Sequence, residues 1–265
     1  MKKYFMCAMA AVAMLSVSSC SSEEEVNMSG AEGVGYISLN TSTEDAVITR
    51  ADADINTFKA KVYTGGVNGT YAWGTKDTYA PITASINTTP MSPTNYVVEV
   101  RNYDDMDAAL ADNSNYGAAY WEGQANVTVV TATKTPVTVA CGKPKNTKLI
   151  LNASAFGGTA LSLNITDPRA LAFAWDNSTK VFDHAESFFA PAAQLSYTIS
   201  YTINGIEKVT STKTLTMGAA GTAKKLTIAS NTNGTITLSI TTLDFDEAVE
   251  ETLTFDAATG EEVKK

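Results

Sequence analysis

The segment LSYTISYTING, residues 195–205, decides the fold class of this chain. Its apolar side chains fall on every second position, which predicts a β strand with one buried face. Asn204-Gly205 is the residue pair most typical of a type I′ turn, so the strand is expected to turn back into a return strand at residues 209–217. This hairpin predicts an antiparallel β sheet.

The same alternation recurs along most of the chain, at the spacing typical of β-sandwich proteins. Residues 104–116 predict a loop with one helical turn, and residues 183–189 predict a short helix. The sequence therefore predicts an all-β protein with two antiparallel β-sandwich domains, of Greek-key, immunoglobulin-like or transthyretin-like type, at residues 33–142 and 143–265, divided next to Pro144. The other predicted strands are residues 36–40, 58–63, 71–73, 82–86, 96–100, 120–130, 136–141, 149–151, 161–165, 226–228, 236–240 and 253–255.

The N-terminus has the layout of a secretory signal. Two lysines precede an apolar run that is shorter than the roughly 20 residues needed to span a bilayer, and the run closes on small residues before Cys20. This order resembles the lipobox of bacterial lipoproteins. It implies a signal peptide at residues 1–19, a lipid on Cys20, and a flexible spacer at residues 20–32.

The acidic cluster Glu23–Glu25 in this spacer resembles the surface-export signal of lipoproteins from Bacteroidetes. The expected location is therefore the outer membrane, with a lipid anchor and display on the cell surface. The alternative is a solvated tether without export information.

Charge and motifs exclude several classes of function. The formal net charge of −9 is unfavourable for nucleic acid, which is not expected as a partner. The single histidine, His184, excludes a multi-histidine zinc site, and Cys141, expected to be a buried apolar residue, cannot form a thiolate site alone. Phosphate-binding loops and a nucleophile elbow are absent from the sequence. The acidic runs 104–107 and 244–247 are interpreted as solvated loops; Ca²⁺ binding is the alternative, although neither run has the spacing and central glycine of an EF-hand loop. No cofactor, metal or enzymatic activity is predicted.

The first half contains a series of short motifs: GYISL at 35–39, TRA at 49–51, YVVEV at 96–100, YWEG at 120–123, VTVAC at 137–141 and NTKL at 146–149. In this order they resemble an uncharacterised family of two-domain β-sandwich lipoproteins from gut Bacteroidetes, named only as a domain of unknown function. The resemblance covers roughly residues 33–150. Its motifs are structural, so it implies a fold but no catalytic residues.

The broader layout resembles fimbrillin-type pilus and adhesin lipoproteins. That resemblance implies proteolytic processing after an early arginine, here Arg50, followed by acceptance of a strand from the next subunit. Cell adhesion or fimbria-like assembly is thus the leading functional hypothesis, with other fimbrial-type subunits as partners. The alternative for Arg50 is an exposed loop residue without this role.

The aromatic residues support a second hypothesis, a glycan-binding accessory lipoprotein of a polysaccharide-uptake system. Trp73, Tyr120 and Trp121 are the candidates for stacking on a sugar ring. Tyr120 and Trp121 are adjacent, so on a strand they would point to opposite faces. The other interpretation is that these rings fill the sandwich core. An enzyme that uses only carboxylates is the weakest hypothesis.

Overall fold

The computed structural model describes residues 33–43, 57–65, 69–82, 85–185, 188–230, 235–243 and 248–256, with residues 259, 261 and 263. Cys20, Arg50, the spacer and the acidic run 244–247 lie outside these residues. The strands of the first half are β1 Tyr36–Thr43, β2 Lys59–Tyr63, β3 Tyr71–Trp73, β4 Ala80–Pro81, β5 Asn95–Arg101, β6 Glu122–Thr128 and β7 Lys134–Gly142. Those of the second half are β8 Thr147–Asn152, β9 Ala160–Asp167, β10 Leu171–Asp176, β11 Val181–Phe182, β12 Phe188–Ala190, β13 Gln194–Ile203, β14 Ile206–Val209, β15 Lys213–Thr216, β16 Ala223–Ser230, β17 Thr235–Leu243 and β18 Ala248–Asp256.

The prediction of an all-β sandwich protein is confirmed. In the first sandwich, an antiparallel sheet of order β3-β2-β5-β6, with β4 also paired to β2, faces a two-stranded sheet formed by β1 and β7. In the second, the sheet β11-β10-β9-β13, continued by β14 and β15, faces the sheet β12-β8-β16-β17-β18. Each pair of sheets encloses its own cluster of buried apolar side chains. Residues Glu32–Lys265 nevertheless form one compact unit, so the division into two domains stays a prediction.

The two sandwiches repeat one topology. The order β3-β2-β5-β6 in the first corresponds to β10-β9-β13 and then β14 and β15 in the second. The parallel pair β1–β7 corresponds to the parallel pair β8–β16. An antiparallel bridge between Gly35 and Met91 beside β1 corresponds to the antiparallel pairing of β12 with β8. These two parallel pairs depart from the purely antiparallel prediction, because the paired strands are far apart in the chain and no hairpin joins them.

The sandwiches differ in what lies beyond the parallel strand pair, β1–β7 in the first and β8–β16 in the second. In the second sandwich β16 pairs with β17, and β17 with β18. In the first, β7 has no ladder partner besides β1 among the described residues and lies against β6 instead. Gly123 permits this approach, since a Cβ built on it would lie 2.6 Å from the Ala140 carbonyl oxygen.

A buried joint connects the two halves at the predicted division. The Asn146 side chain is fully buried; its Nδ2 donates to the Ala118 carbonyl at 2.7 Å and its Oδ1 accepts from the Tyr120 amide at 3.1 Å. From the second sandwich, the Arg169 guanidinium donates to the carbonyls of Tyr116 and Phe189. The polar segment at 142–146 is therefore part of a hydrogen-bonded contact.

Three local predictions were wrong. Residues Ser85–Thr88 form a 3-10 helix where a strand was predicted. Ile82 and Ile86 are four residues apart, a spacing that fits both strand and helix periods. The predicted return strand at 209–217 is split into β14 and β15 because Thr210 interrupts the ladder: its hydroxyl accepts from the Ile199 amide at 3.0 Å.

The third error is the helix predicted at 183–189, where the described part contains a turn followed by β12. All three residues of β12 are buried, with Phe188 in the core of the second sandwich and Phe189 in that of the first. A strand buried on both faces shows no alternation of polar and apolar residues, so its period is invisible in the sequence.

The Asn204-Gly205 turn is confirmed, with φ values of 51° and 76° and with Ile203 paired to Ile206. The predicted helical turn within 104–116 is confirmed as helix α1, Met106–Ala111. Among the residues that the structure describes, no helix is both long and apolar enough to cross a bilayer.

Candidate functional site

The outward face of the first five-stranded sheet carries charged and aromatic side chains in matched rows. Inward positions such as Val62 and Val98 are fully buried, so the alternate positions of β2, β5 and β6 face outward. The pairing register places Glu99 between Lys61 and Gln124, and Arg101 between Lys59 and Glu122.

Glu99 lies at the centre of this face and binds two tyrosines. Its Oε1 accepts a hydrogen bond from the Tyr63 hydroxyl at 2.8 Å, and its Oε2 accepts one from the Tyr79 hydroxyl at 3.0 Å. Burial, together with the hydrogen bond to Glu99, raises the pKa of Tyr63 to about 12. Burial also raises the pKa of Tyr79. Both phenols are therefore neutral donors at neutral pH, and the Glu99 carboxylate is fixed in place.

Two cations pack on the ring of Tyr79. The Lys61 ammonium lies 4.0 Å from the ring centroid and the Arg101 guanidinium 4.7 Å, distances at which cation–π attraction operates. Lys61 also donates to the carbonyl of Lys76. Burial, and then the charge of Arg101, lowers the pKa of Lys61. Tyr79 is thereby held rigidly at the floor of this face.

An open depression of about 630 Å³ lies above these residues. A second depression of about 250 Å³ shares Glu99, Arg101 and Gln124 and adds Lys145. Tyr63 and Tyr71 form the aromatic side of the larger depression, with ring centroids 5.4 Å apart and ring planes tilted by 45°. Tyr71 is half-buried, so part of its ring faces solvent. Hydroxyl, amide, cationic and aromatic groups thus converge on one concave surface, as in ligand sites.

The three residues predicted to stack on a ligand lie elsewhere. Tyr120 and Trp121 precede β6 and are buried, with 3% and 6% exposure; the Tyr120 hydroxyl donates to Glu122 at 2.8 Å. Trp73 is half-buried in β3 and packs against the core of the first sandwich. The stacking role stays a prediction, but burial of Tyr120 and Trp121 speaks against it at those two positions.

The side of β1 away from β7 is a second candidate surface. β1 and β7 pair in parallel from Tyr36–Lys134 to Thr43–Gly142. On its other side β1 has only local contacts among the described residues: the Gly35–Met91 bridge and a hydrogen bond from the Leu39 amide to Asn87 at 3.0 Å.

Cys141, His184 and the acidic run 104–107 carry side chains of chemically active types, and they take part in packing, stacking, ion-pair or capping contacts. Cys141 is buried, as predicted, and burial raises the pKa of its thiol to about 11. His184 is exposed and stacks on Tyr116, with centroids 3.8 Å apart. Asp104 pairs with Lys59 at 3.1 Å, and Asp105 caps α1 through the Ala108 amide at 2.7 Å. Within the described part of the chain, no group of three His, Cys, Asp or Glu residues could hold a metal ion.

Sequence analysis missed Glu99, Arg101, Tyr63, Tyr71 and Tyr79 as site residues. The sequence did contain evidence for this site, because the predicted strands 58–63 and 96–100 carry charged or aromatic residues at outward positions. What the sequence lacks is the register that places these strands side by side.

The family described as "Domain of unknown function (DUF4493)" matches residues 33–257. No curated protein matches the chain. Among solved structures, one similar chain is "The Bacillus anthracis TIE protein", with 11% sequence identity and a TM-score of 0.27. The match covers 84% of this chain and 44% of that one, so this chain spans less than half of its length.

Proposed function

The chain belongs to the DUF4493 family, and we propose that it is a non-enzymatic, surface-anchored lipoprotein of cell adhesion or fimbria-like assembly. Before processing, a lipid on Cys20 would hold it at the outer membrane, and a cut after Arg50 would separate this anchor together with β1 from the rest of the chain. In this function a protease cuts the chain after Arg50, β1 leaves the first sandwich, and a strand from a neighbouring subunit takes its place.

The observation that carries this proposal is the position of β1 in the sheet. Among the described residues, the one strand that forms a ladder with β1 is β7, whereas its counterpart β8 lies between β12 and β16. Departure of β1 would leave the backbone N–H and C=O groups of β7 without their ladder partner. Such an edge is a template for strand addition.

The groove that β1 leaves would also determine which side chains an incoming strand needs. Ile37 is fully buried and Leu39 packs against the same core. A replacement strand must therefore supply apolar side chains two residues apart, because only alternate residues reach the core. Main-chain hydrogen bonds would provide affinity and these apolar positions specificity.

The test uses an arginine-specific protease on the purified mature chain. The sequence contains three arginines, and the two within the described residues lie in β5 and in the contact between the sandwiches. We expect a first cut after Arg50 and then a ladder of oligomers on an unheated denaturing gel, with loss of the N-terminal fragment measured by mass spectrometry.

An Arg50→Lys variant is the matched control, because it keeps the charge and removes the cleavage site. It should stay monomeric under the same treatment. A wild-type chain that is cut after Arg50, loses the fragment and still remains monomeric would refute assembly by strand exchange.

A further inference from the structure

The depression on the first five-stranded sheet differs in charge from the rest of the chain. The chain has a formal net charge of −9. Around the two adjoining depressions, however, four cations face two acids. The cations are Lys61, Lys76, Arg101 and Lys145, and the acids are Glu99 and Glu122.

The acid at the centre is already satisfied. Both carboxylate oxygens of Glu99 accept phenol hydrogens, from Tyr63 and Tyr79. Tyr63 therefore turns its remaining lone pairs, rather than its proton, toward a ligand. Glu99 fixes the two tyrosines, and each of its oxygens already accepts one hydrogen bond.

The cations at the rim remain available. Neither Lys76 nor Lys145 is in an ion pair with a described residue, and both side chains are exposed. Arg101 uses one nitrogen on the Asp104 carbonyl at 3.1 Å and has its Nε 3.6 Å from Glu122. A guanidinium has five N–H donors, so donors are left for an incoming oxyanion.

The aromatic side adds a different kind of recognition. The rings of Tyr63 and Tyr71 are tilted by 45° and therefore lie side by side rather than stacked face to face. The amide of Gln124 stands beside them in the same depression and can both donate and accept. Ring faces for C–H groups, an amide for hydroxyls and cations for an anion together match a sugar that carries a carboxylate.

We infer that this surface binds an acidic saccharide, a sugar chain containing uronate-type carboxylates. Arg101 and Lys76 pair with the carboxylate, Tyr71 packs on the sugar ring, and Gln124 binds hydroxyl groups. The site is independent of strand exchange, because it lies on the sheet that does not contain β1 or β7.

The test is native affinity electrophoresis of the uncut mature chain in gels that contain polygalacturonate, dextran or dextran sulfate. We expect retardation by polygalacturonate and none by dextran. Lys76→Gln and Tyr71→Ala should each weaken the apparent affinity about tenfold, the effect of losing one good contact. Lys208→Gln, the same charge change on the second sandwich, should leave it unchanged.

Several outcomes would overturn the inference. They are an unretarded wild type, equal retardation by dextran, or equal weakening by Lys208→Gln. Equal retardation by dextran sulfate that is insensitive to Tyr71→Ala would reveal only a general anion patch. Circular dichroism and thermal unfolding check that Tyr71→Ala folds, and the exposed Lys76→Gln change keeps the test decisive if it does not.

Discussion

In the first sandwich β7 has β1 on one side and lies against β6 on the other, whereas in the second sandwich β16 lies between β8 and β17. Two copies of one topology have thus been completed in different ways. The second adds the strands β17 and β18, and the first brings β6 directly onto β7. Among the described residues β8 lies between β12 and β16, whereas β1 has β7 as its one ladder partner. Departure of β1 therefore breaks one ladder, and departure of β8 would break two.

The largest effect is expected from the buried side chains of these two counterpart strands. Ile37 in β1 and Leu149 in β8 are both fully buried. Ile37→Ala and Leu149→Ala should each lower the free energy of unfolding by about 2–5 kcal/mol, the usual cost of a cavity in a packed core. Denaturant unfolding measures both.

Limited proteolysis of the same variants separates the two strands. Ile37→Ala should raise the rate at which the N-terminal segment is released, because β1 has one ladder partner among the described residues; Leu149→Ala should not. Val181→Ala, at a position that is 51% exposed, is the control and should change stability by less than about 0.5 kcal/mol. Faster release in Leu149→Ala than in Ile37→Ala would reverse the assignment of the weaker strand.

The next effect concerns the joint between the sandwiches. Asn146→Ala removes the groups that bind the Ala118 carbonyl and the Tyr120 amide, and leaves both without this partner. We expect a loss of about 2–3 kcal/mol in unfolding free energy, typical of buried polar groups left unsatisfied. Asn126→Ala, at an exposed position of β6, is the matched control. Equal behaviour of the two variants would mean that the joint contributes nothing.

A smaller effect is expected where β6 meets β7. In Gly123→Ala the new methyl group would overlap the Ala140 carbonyl oxygen, which lies 2.6 Å from the Cβ position. Forcing the strands apart should cost about 1–3 kcal/mol, as overpacking does elsewhere. Gly157→Ala is the control from the second sandwich, because its Cβ would meet only the Ser230 hydroxyl, at 3.2 Å. A Gly123→Ala protein as stable as this control would show that β6 and β7 do not need close contact.

Sequence reasoning located most strands where one face is buried and the other exposed, as in β5 and β13, because such strands display their period. It failed at β12, since Phe188 and Phe189 enter different cores and the strand is apolar on both faces. It also could not find the repeat of topology, because pairing between distant strands, such as β8 with β16, depends on tertiary contacts that no local pattern encodes.

The candidate site shows the same limit. The sequence places Glu99 and Arg101 on the outward side of a strand, but only the register brings Lys61 and Gln124 beside Glu99. Tyr79 lies in an irregular segment, and nothing in its sequence context predicts that two cations pack on its ring. Tyr120 and Trp121 are buried, which is the commoner use of large aromatic residues.

The smallest effect is a pH dependence that comes from Tyr63 on the outward face of the first five-stranded sheet. The folded pKa of Tyr63 is raised to about 12, above its usual value near 10, chiefly by burial and further by Glu99. The neutral phenol is thus favoured by folding, so its stabilising contribution is complete below pH 10 and is lost as the pH rises toward 12. Because the pKa values of Tyr79, Tyr103 and Tyr120 are raised as well, Tyr63 is followed as the difference in phenolate absorbance between each protein and its Tyr63→Phe variant during an alkaline titration. Glu99→Gln should shift the titration of Tyr63 only part of the way back toward 10, because burial remains. Glu207→Gln, on β14 of the second sandwich, should leave the titration unchanged. A full return to about 10 in Glu99→Gln would mean that the carboxylate alone, rather than burial in the sheet face, holds the proton on Tyr63.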